Sequence, residues 1–491
     1  MSNRRDGFCL EEATISSVHE AIKQGKLTCR RLIEMYIERI EAYDKKGPSL
    51  NSVITINPKA LEIADSLDEQ YRISGFTGPL HGIPVLLKDN VDTGDMPTTA
   101  GSLSLEDMIP EDDAFIVERL KEAGAIILAK VNLHEFAVWG ETVSSILGQT
   151  LNPYDLTRTP GGSSGGTGAA VAANFGIIGI GTDTINSVRS PASACSLVGL
   201  RPTIGLVSRD GIVPYSLTQD TAGPIMRTVE DAAIVLDVIA GYDEKDPITA
   251  WSVGKIPKSY TMSLKKDGLR GKRIGILKSF FGKEEIHKEV NEVMDRSLKA
   301  MEEAGAVLVP IEEFIDGDKL VKEVSVHLFD LKAHLTGYLK DLGSRAKVHS
   351  LSDVIASGKY HKGIEDNIKY AETLDINSVE YKERIMKKIE LRNTVMNIMA
   401  KYDLDAIVYP HQKRPVVKVG EPQVERNGVL GAVTGFPSCV VPAGFTKPDD
   451  NAPIGVPVGM EILCREWDEP TLIEIAYGFE QSTHYRKPPV I

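Results

Sequence analysis

The run from Asn152 to Thr167, Asn-Pro-Tyr-Asp-Leu-Thr-Arg-Thr-Pro-Gly-Gly-Ser-Ser-Gly-Gly-Thr, restricts what this chain can fold into more than any other segment. Pro153 and Pro160 lack the N–H that a sheet ladder needs, so the residues before the glycines cannot form a central strand. Four glycines around Ser163 and Ser164 then remove side chains from a short loop, and another backbone or a ligand can come close to both hydroxyls. The small residues 168–174 follow as a helix whose start the loop forms. Strand and helix patterns on both sides argue against a flexible linker. A phosphate cradle is disfavoured because no Gly-Lys-Ser/Thr follows. Residues 161–165 also match the G-x-S-x-G nucleophile elbow, but that motif needs a buried strand directly before it, where this chain has its prolines.

Around this loop, short apolar runs at 83–87, 125–129 and 177–180 alternate with helical segments such as 116–123, the pattern of an α/β protein with a largely buried sheet. The first part of the chain reads as helices, with Thr14 and Thr28 placed to cap them. Further on, strands are expected at 272–277 and 306–310 with a helix at 290–304 between them. The charged, helical stretch 318–403 reads as a layer around the core or one side of a pocket. Strand-like runs return at 406–409 and 438–441, and an amphipathic helix closes the chain at 469–481. With no repeat and no linker, one domain over residues 1–491 is expected.

Composition narrows the class. A net charge of −13, from 56 Lys and Arg against 69 Asp and Glu, disfavours an electrostatic nucleic-acid binder. The five cysteines are odd in number and scattered without a C-x-x-C pair, which fits a reducing compartment and no zinc site. Met-Ser-Asn-Arg-Arg-Asp-Gly at the start lacks the apolar region of a signal peptide, and no apolar run nears the ~18 residues that span a bilayer. The expectation is a cytoplasmic protein without a membrane or nucleic-acid partner.

Two polar sites accompany the glycine loop in apolar surroundings. Lys88 ends the run 83–87, where a lysine is costly unless its charge is lost or used. Ser187 lies within Gly181-Thr-Asp-Thr-Ile-Asn-Ser-Val-Arg189. A serine hydroxyl needs an adjacent base near neutral pH, and lysine serves only when burial or nearby positive charge makes it neutral. The three sites together point to a serine nucleophile activated by lysine rather than histidine. Asp183 and Arg189 read as a structural ion pair, and Asp89 and Asn90 as supports for the loop around Lys88. His81 and His134 read as structural, since no histidines have metal-ligand spacing. The loop begun by Tyr409-Pro-His411 could close the pocket.

The order Lys88, Gly161-Gly-Ser-Ser-Gly-Gly166, Gly181-Thr-Asp-Thr with Ser187, Arg189 and Pro191-Ala192 resembles the amidase signature family. Val198-Gly-Leu-Arg-Pro202, Asp220-Thr-Ala-Gly-Pro224, Thr434-Gly-Phe-Pro437 and Gly455-Val-Pro-Val-Gly459 extend the likeness over nearly the whole chain. It is densest from about 80 to 240 and weakest from about 310 to 400, and the wording at 207–214 and 219–224 most resembles the peptide-amidase-like branch. The spacings of 75 residues (88 to 163) and 24 residues (163 to 187) look like those of amidotransferase A-subunits of the same family.

The resemblance implies an α/β fold, a large mixed β-sheet core sandwiched between α-helices, and an amidase that needs no cofactor or metal. It implies Ser187 as nucleophile, Ser163 as a bridging serine held by a cis peptide, and Lys88 as base. Thr184, Ile185, Asn186 and Ser187 would contribute to the oxyanion site and the substrate-binding surface. Most members carry two glycines where this chain has Ile185-Asn186, a departure that bears on the acyl pocket; isoleucine there must keep an ordinary backbone conformation, whereas asparagine tolerates positive φ. Phe136, Val138 and Trp139 fall near the family's active-site loop and either line a pocket or pack in the core. A small-molecule amide is the implied partner, and a homodimer a family-level expectation. Two rivals are a glutamine-hydrolysing A-subunit of a tRNA-dependent amidotransferase and a catalytically weakened binding protein.

Overall fold

A computed structural model describes residues 7–491; residues 1–6, read above for a leader, lie outside the described residues. The strands in chain order are β1 (Val53–Ile56), β2 (Pro84–Lys88), β3 (Ile126–Val131), β4 (Val143–Ser144), β5 (Gly148–Gln149), β6 (Ile178–Asp183) and β7 (Val198–Arg201). They continue with β8 (Thr221–Met226), β9 (Arg273–Leu277), β10 (Val307–Ile311), β11 (Ala406–Pro410), β12 (Ser438–Phe445) and β13 (Pro457–Leu463). Apart from the small β4–β5 pair, these form one 11-stranded sheet in the order β1-β3-β2-β6-β8-β7-β12-β13-β11-β9-β10. The sheet is mixed: β3, β2 and β6 run parallel, as do β10, β9 and β11, while the strands between them pair antiparallel.

Every residue of β2, β3, β6, β7, β8, β11 and β13 is buried, so both faces of the central sheet are covered. This is why the sequence shows these strands as apolar runs rather than alternation. The expected caps are present: Thr14 accepts from Ser17 N in a capping box, and Thr28 accepts from Arg31 N. The expected strands and helices recur with bounds shifted by a few residues. Strands β1, β4, β5, β7, β8 and β13 and the helices Ala60–Ser74, Arg189–Ala194, Val229–Ile239 and Val429–Thr434 are additional. Glycine and proline disguise β8, Thr-Ala-Gly-Pro-Ile-Met. Pro224 is tolerated because β7 pairs only with Ile225 and Met226, which leaves Pro224 a ladder on the β6 side alone.

The glycine loop ends in the helix Gly165–Ala172, all of it buried. Gly161 has φ of +71°, and a Cβ at Gly166 would stand 2.2 Å from the carbonyl oxygen of Asn132. The loop is therefore pressed against the segment after β3 through bare backbone. A Gly166→Ala substitution is expected to cost ~1–3 kcal/mol or more by overpacking, read as a lowered midpoint in urea denaturation.

Candidate active site

Lys88 is the last residue of β2, in the middle of the parallel part of the sheet, and is fully buried. Its Nζ donates to Ser163 Oγ at 2.7 Å and to Thr182 Oγ1 at 2.8 Å, and Asn90 Nδ2 also reaches Thr182 Oγ1, at 3.1 Å. Burial pushes the ammonium down to about 7, against the opposing pull of Asp183 and Asp220. Asp89 does not face Lys88; it accepts from Thr99 and pairs with Lys130 at 3.3 Å, fixing the turn after β2.

Ser163 follows a cis Gly162–Ser163 peptide bond. Its carbonyl accepts from His134 N at 2.9 Å. Thr142 Oγ1 donates to Gly161 O at 2.7 Å and accepts from Gly165 N at 3.0 Å, which anchors both ends of the turn. Ser187 lies beyond the end of β6, 5% exposed, and its carbonyl accepts from Ser164 N at 3.3 Å. The serine loop and the Ser187 loop therefore lie side by side. Among the described residues, the Ser187 hydroxyl forms no hydrogen bond, and no acceptor meets the backbone N–H groups of Ile185, Asn186 and Ser187.

That loop is held from beneath by buried charge. Asp183 accepts from Val188 N at 3.0 Å, from Arg189 at 3.1 and 2.9 Å, and from Arg201 at 2.8 Å. Burial alone would raise the Asp183 carboxyl, but the two guanidiniums outweigh it and hold it well below the usual carboxylate range. Arg189 also donates to Ile185 O at 2.7 Å and pairs with Glu461, on which Tyr409 and His411 converge. Tyr409 and His411 themselves belong to this network, while the loop they begin reaches the Ser187 cavity at Arg426. Thr184 Oγ1 donates to Asp220 at 2.5 Å. Neither Ile185 nor Asn186 adopts positive φ, so the loop makes no demand for glycine at either position. The Ile185 side chain packs against the cluster containing Phe280 and Leu430.

A narrow cavity of about 40 Å³ opens on Ser187 and is lined by Thr184, Ile185 and Asn186. Trp139 borders it, whereas Phe136 and Val138 pack in the core. Val321 and His327 bring the 318–403 stretch to the cavity, as expected for one side of a pocket. Tyr215 and Arg426 complete the wall and carried no sequence motif; only their tertiary neighbours mark them. His134 accepts from Glu141 N through Nδ1 and is pushed down to about 3 by burial, and His81 accepts from Thr77 N, both structural. Among the described residues no group of three or more His, Cys, Asp or Glu side chains is placed to hold a metal ion.

Comparison with known proteins agrees with this architecture. The Amidase family model matches residues 31–473. A probable amidase of Arabidopsis thaliana is 36% identical over 98% of this chain and 92% of its own length. The A-subunit of the glutamyl-tRNA(Gln) amidotransferase of Thermoanaerobacter pseudethanolicus is 34% identical, covering 98% of each chain. The crystal structure of native peptide amidase from Stenotrophomonas maltophilia superposes with a TM-score of 0.88 at 37% identity, over 98% of this chain and 99% of that one. The chain belongs to the Amidase family and is an amide-hydrolysing enzyme with the fold of its relatives. No helix among the described residues is long and apolar enough to cross a membrane.

Replacing Asp183 by Asn leaves two buried guanidiniums short of one anion. The expected cost is ~3–5 kcal/mol, measured by urea denaturation, with the Val188 N–H that Asp183 caps among the first amides to lose exchange protection.

Proposed function

We propose that the enzyme hydrolyses a carboxylic amide through an acyl-enzyme on Ser187, with Ser163 and Lys88 relaying the proton. The observation that carries this reading is Lys88, a buried lysine pushed down to about 7 and hydrogen-bonded to Ser163 Oγ at 2.7 Å. A substantial fraction of it is neutral at physiological pH, which is what a base requires. When a substrate carbonyl is seated, the Ser187 hydroxyl turns toward Ser163. Neutral Lys88 takes the Ser163 proton, Ser163 Oγ takes that of Ser187, and Ser187 Oγ attacks the carbonyl carbon. The oxyanion is stabilised by the uncommitted N–H groups of Ile185, Asn186 and Ser187, with Thr184 at the border of the site. Collapse breaks the C–N bond, and the proton passes back through Ser163 to the leaving ammonia or amine. Water then attacks the acyl ester by the same relay and releases the carboxylate.

These oxyanion donors belong to the backbone, so Ile185 and Asn186 reshape the cavity and leave the chemistry intact. The likeness to peptide amidase favours a peptide-like or small amide as substrate. The 34% identity to amidotransferase A-subunits supports a second reading, in which the chain hydrolyses glutamine and passes ammonia to a partner. Acid and amine release by the isolated chain separates the two. Five unpaired cysteines among the described residues favour a reducing, cytoplasmic setting. A single sheet that gathers strands from Val53 to Leu463 favours reading the chain as one domain.

Purified protein is expected to release acid and amine from a peptide amide, an anilide or an aliphatic amide, and Ser187→Ala to release none. Equal cleavage by that variant would falsify the nucleophile assignment. Ser163→Ala and Lys88→Met are expected to lower kcat by ~10²–10⁴-fold. Because the base acts unprotonated, kcat/KM should rise about tenfold per pH unit below about 7 and level off above it. A limb that continues to climb toward pH 10 would show that an ordinary lysine, or another group, is titrating.

A further inference from the structure

The Ser187 cavity holds one group that neither the fold nor the relay uses. Arg426 lines it, with its guanidinium 5.3 Å from the centre of the Trp139 ring. Among the described residues that guanidinium has no hydrogen bond and no ion pair. The buried arginines nearby are different: Arg189 and Arg201 are paired with Asp183, and Arg189 also with Glu461. Glu141 is the carboxylate whose field acts on Arg426, but it forms no ion pair with it and accepts instead from Gln423 N at 2.6 Å.

Among the described residues no carboxylate lines the cavity. Its other polar walls are neutral: Tyr215, Thr184, Asn186, and a His327 that burial holds uncharged. Asn186 is 1% exposed and its Nδ2 has no partner among the described residues, so a second donor next to Ser187 in the chain also lacks an acceptor. A half-buried cation without a counterion in contact is costly. A planar guanidinium stacked on an indole face is preorganised for bidentate contact with a carboxylate.

We propose that Arg426, stacked on Trp139, is the subsite for a substrate carboxylate, so that the preferred substrates are amides carrying a carboxylate near the scissile bond. The inference rests on Ser187 being the nucleophile of this cavity. The carboxylate can sit on the acyl side, as in the monoamide of a dicarboxylic acid, or on the amine side, as in an N-acyl amino acid. A neutral peptide carbonyl leaves the charge of Arg426 uncompensated, and the same charge repels an amide with an ammonium group.

The test compares kcat/KM for matched pairs on the purified full chain. Glutaric monoamide against pentanamide probes the acyl side, and butyrylglycine against N-propylbutanamide the amine side. Wild type is expected to favour the carboxylate-bearing member of one pair by roughly 10–100-fold, and that pair identifies the side. Arg426→Gln should bring the ratio within about threefold of unity. Arg426→Glu should turn the preference toward 5-aminopentanamide. Fluorophosphonate labelling of Ser187 in each variant shows that the site is folded. Labelled wild type that cleaves both members of each pair equally, or cleaves only neutral amides, overturns the carboxylate subsite and leaves the nucleophile reading standing. A ratio unchanged in a labelled Arg426→Gln variant overturns it as well. If Ser187 is unlabelled and no amide is cleaved, the nucleophile reading fails and the subsite falls with it.

Discussion

The carboxylate of Asp183 is the fixed point beneath the site. It ends β6, takes two guanidiniums from elements on either side, and caps the N–H of Val188, so the five residues between β6 and the helix Arg189–Ala194 are clamped at both ends. A buried ion cluster of this kind gains little net stability over apolar packing, because desolvation consumes most of the Coulombic attraction. Its effect here is geometric. With Arg189 also holding the Ile185 carbonyl, the loop keeps three N–H groups turned away from any protein acceptor while their carbonyl side is occupied. A loop free to relax would satisfy those donors itself.

The second constraint is steric. Glycines at 161, 162, 165 and 166 let the serine loop contact Ser190, Gly140, Thr142 and Asn132 at distances that no Cβ would allow. That contact brings Ser163 to the end of β2, where Lys88 has already lost the hydration that would keep it charged. Close backbone packing and an altered lysine are thus one arrangement seen twice: the loop that excludes water from Lys88 is also the one that supplies its hydroxyl partner. Thr182 on β6 provides the other, so the amine is held by neighbours that carry no charge of their own.

Much of this was legible along the chain. The apolar runs 83–87 and 177–180 could be seen because strands buried on both faces are continuously apolar, and Lys88 at the end of the first is conspicuous. The glycine loop was legible because few other roles suit four glycines around two serines. β8 was hidden by Gly223 and Pro224, which ordinarily break strands and here sit where β7 has already left the ladder. Arg426 was equally hidden: it stands in an irregular segment after β11, with nothing in its local sequence to tell it from a surface arginine.

By itself the sequence determined the chemical parts and their order: a lysine at a strand end, a side-chain-free serine loop, and a second serine between an aspartate and an arginine. These are local properties, set by residue type and by what each neighbour allows the backbone to do. Only the tertiary structure decided which parts meet. Lys88 reaches Thr182 because β2 and β6 are adjacent parallel strands, it reaches Ser163 because the glycine loop packs beside them, and the cavity gathers Trp139, Tyr215, His327 and Arg426 from segments far apart in the chain. Long-range packing alone makes those residues neighbours, and so it alone settles where a guanidinium without an ion-pair contact comes to rest.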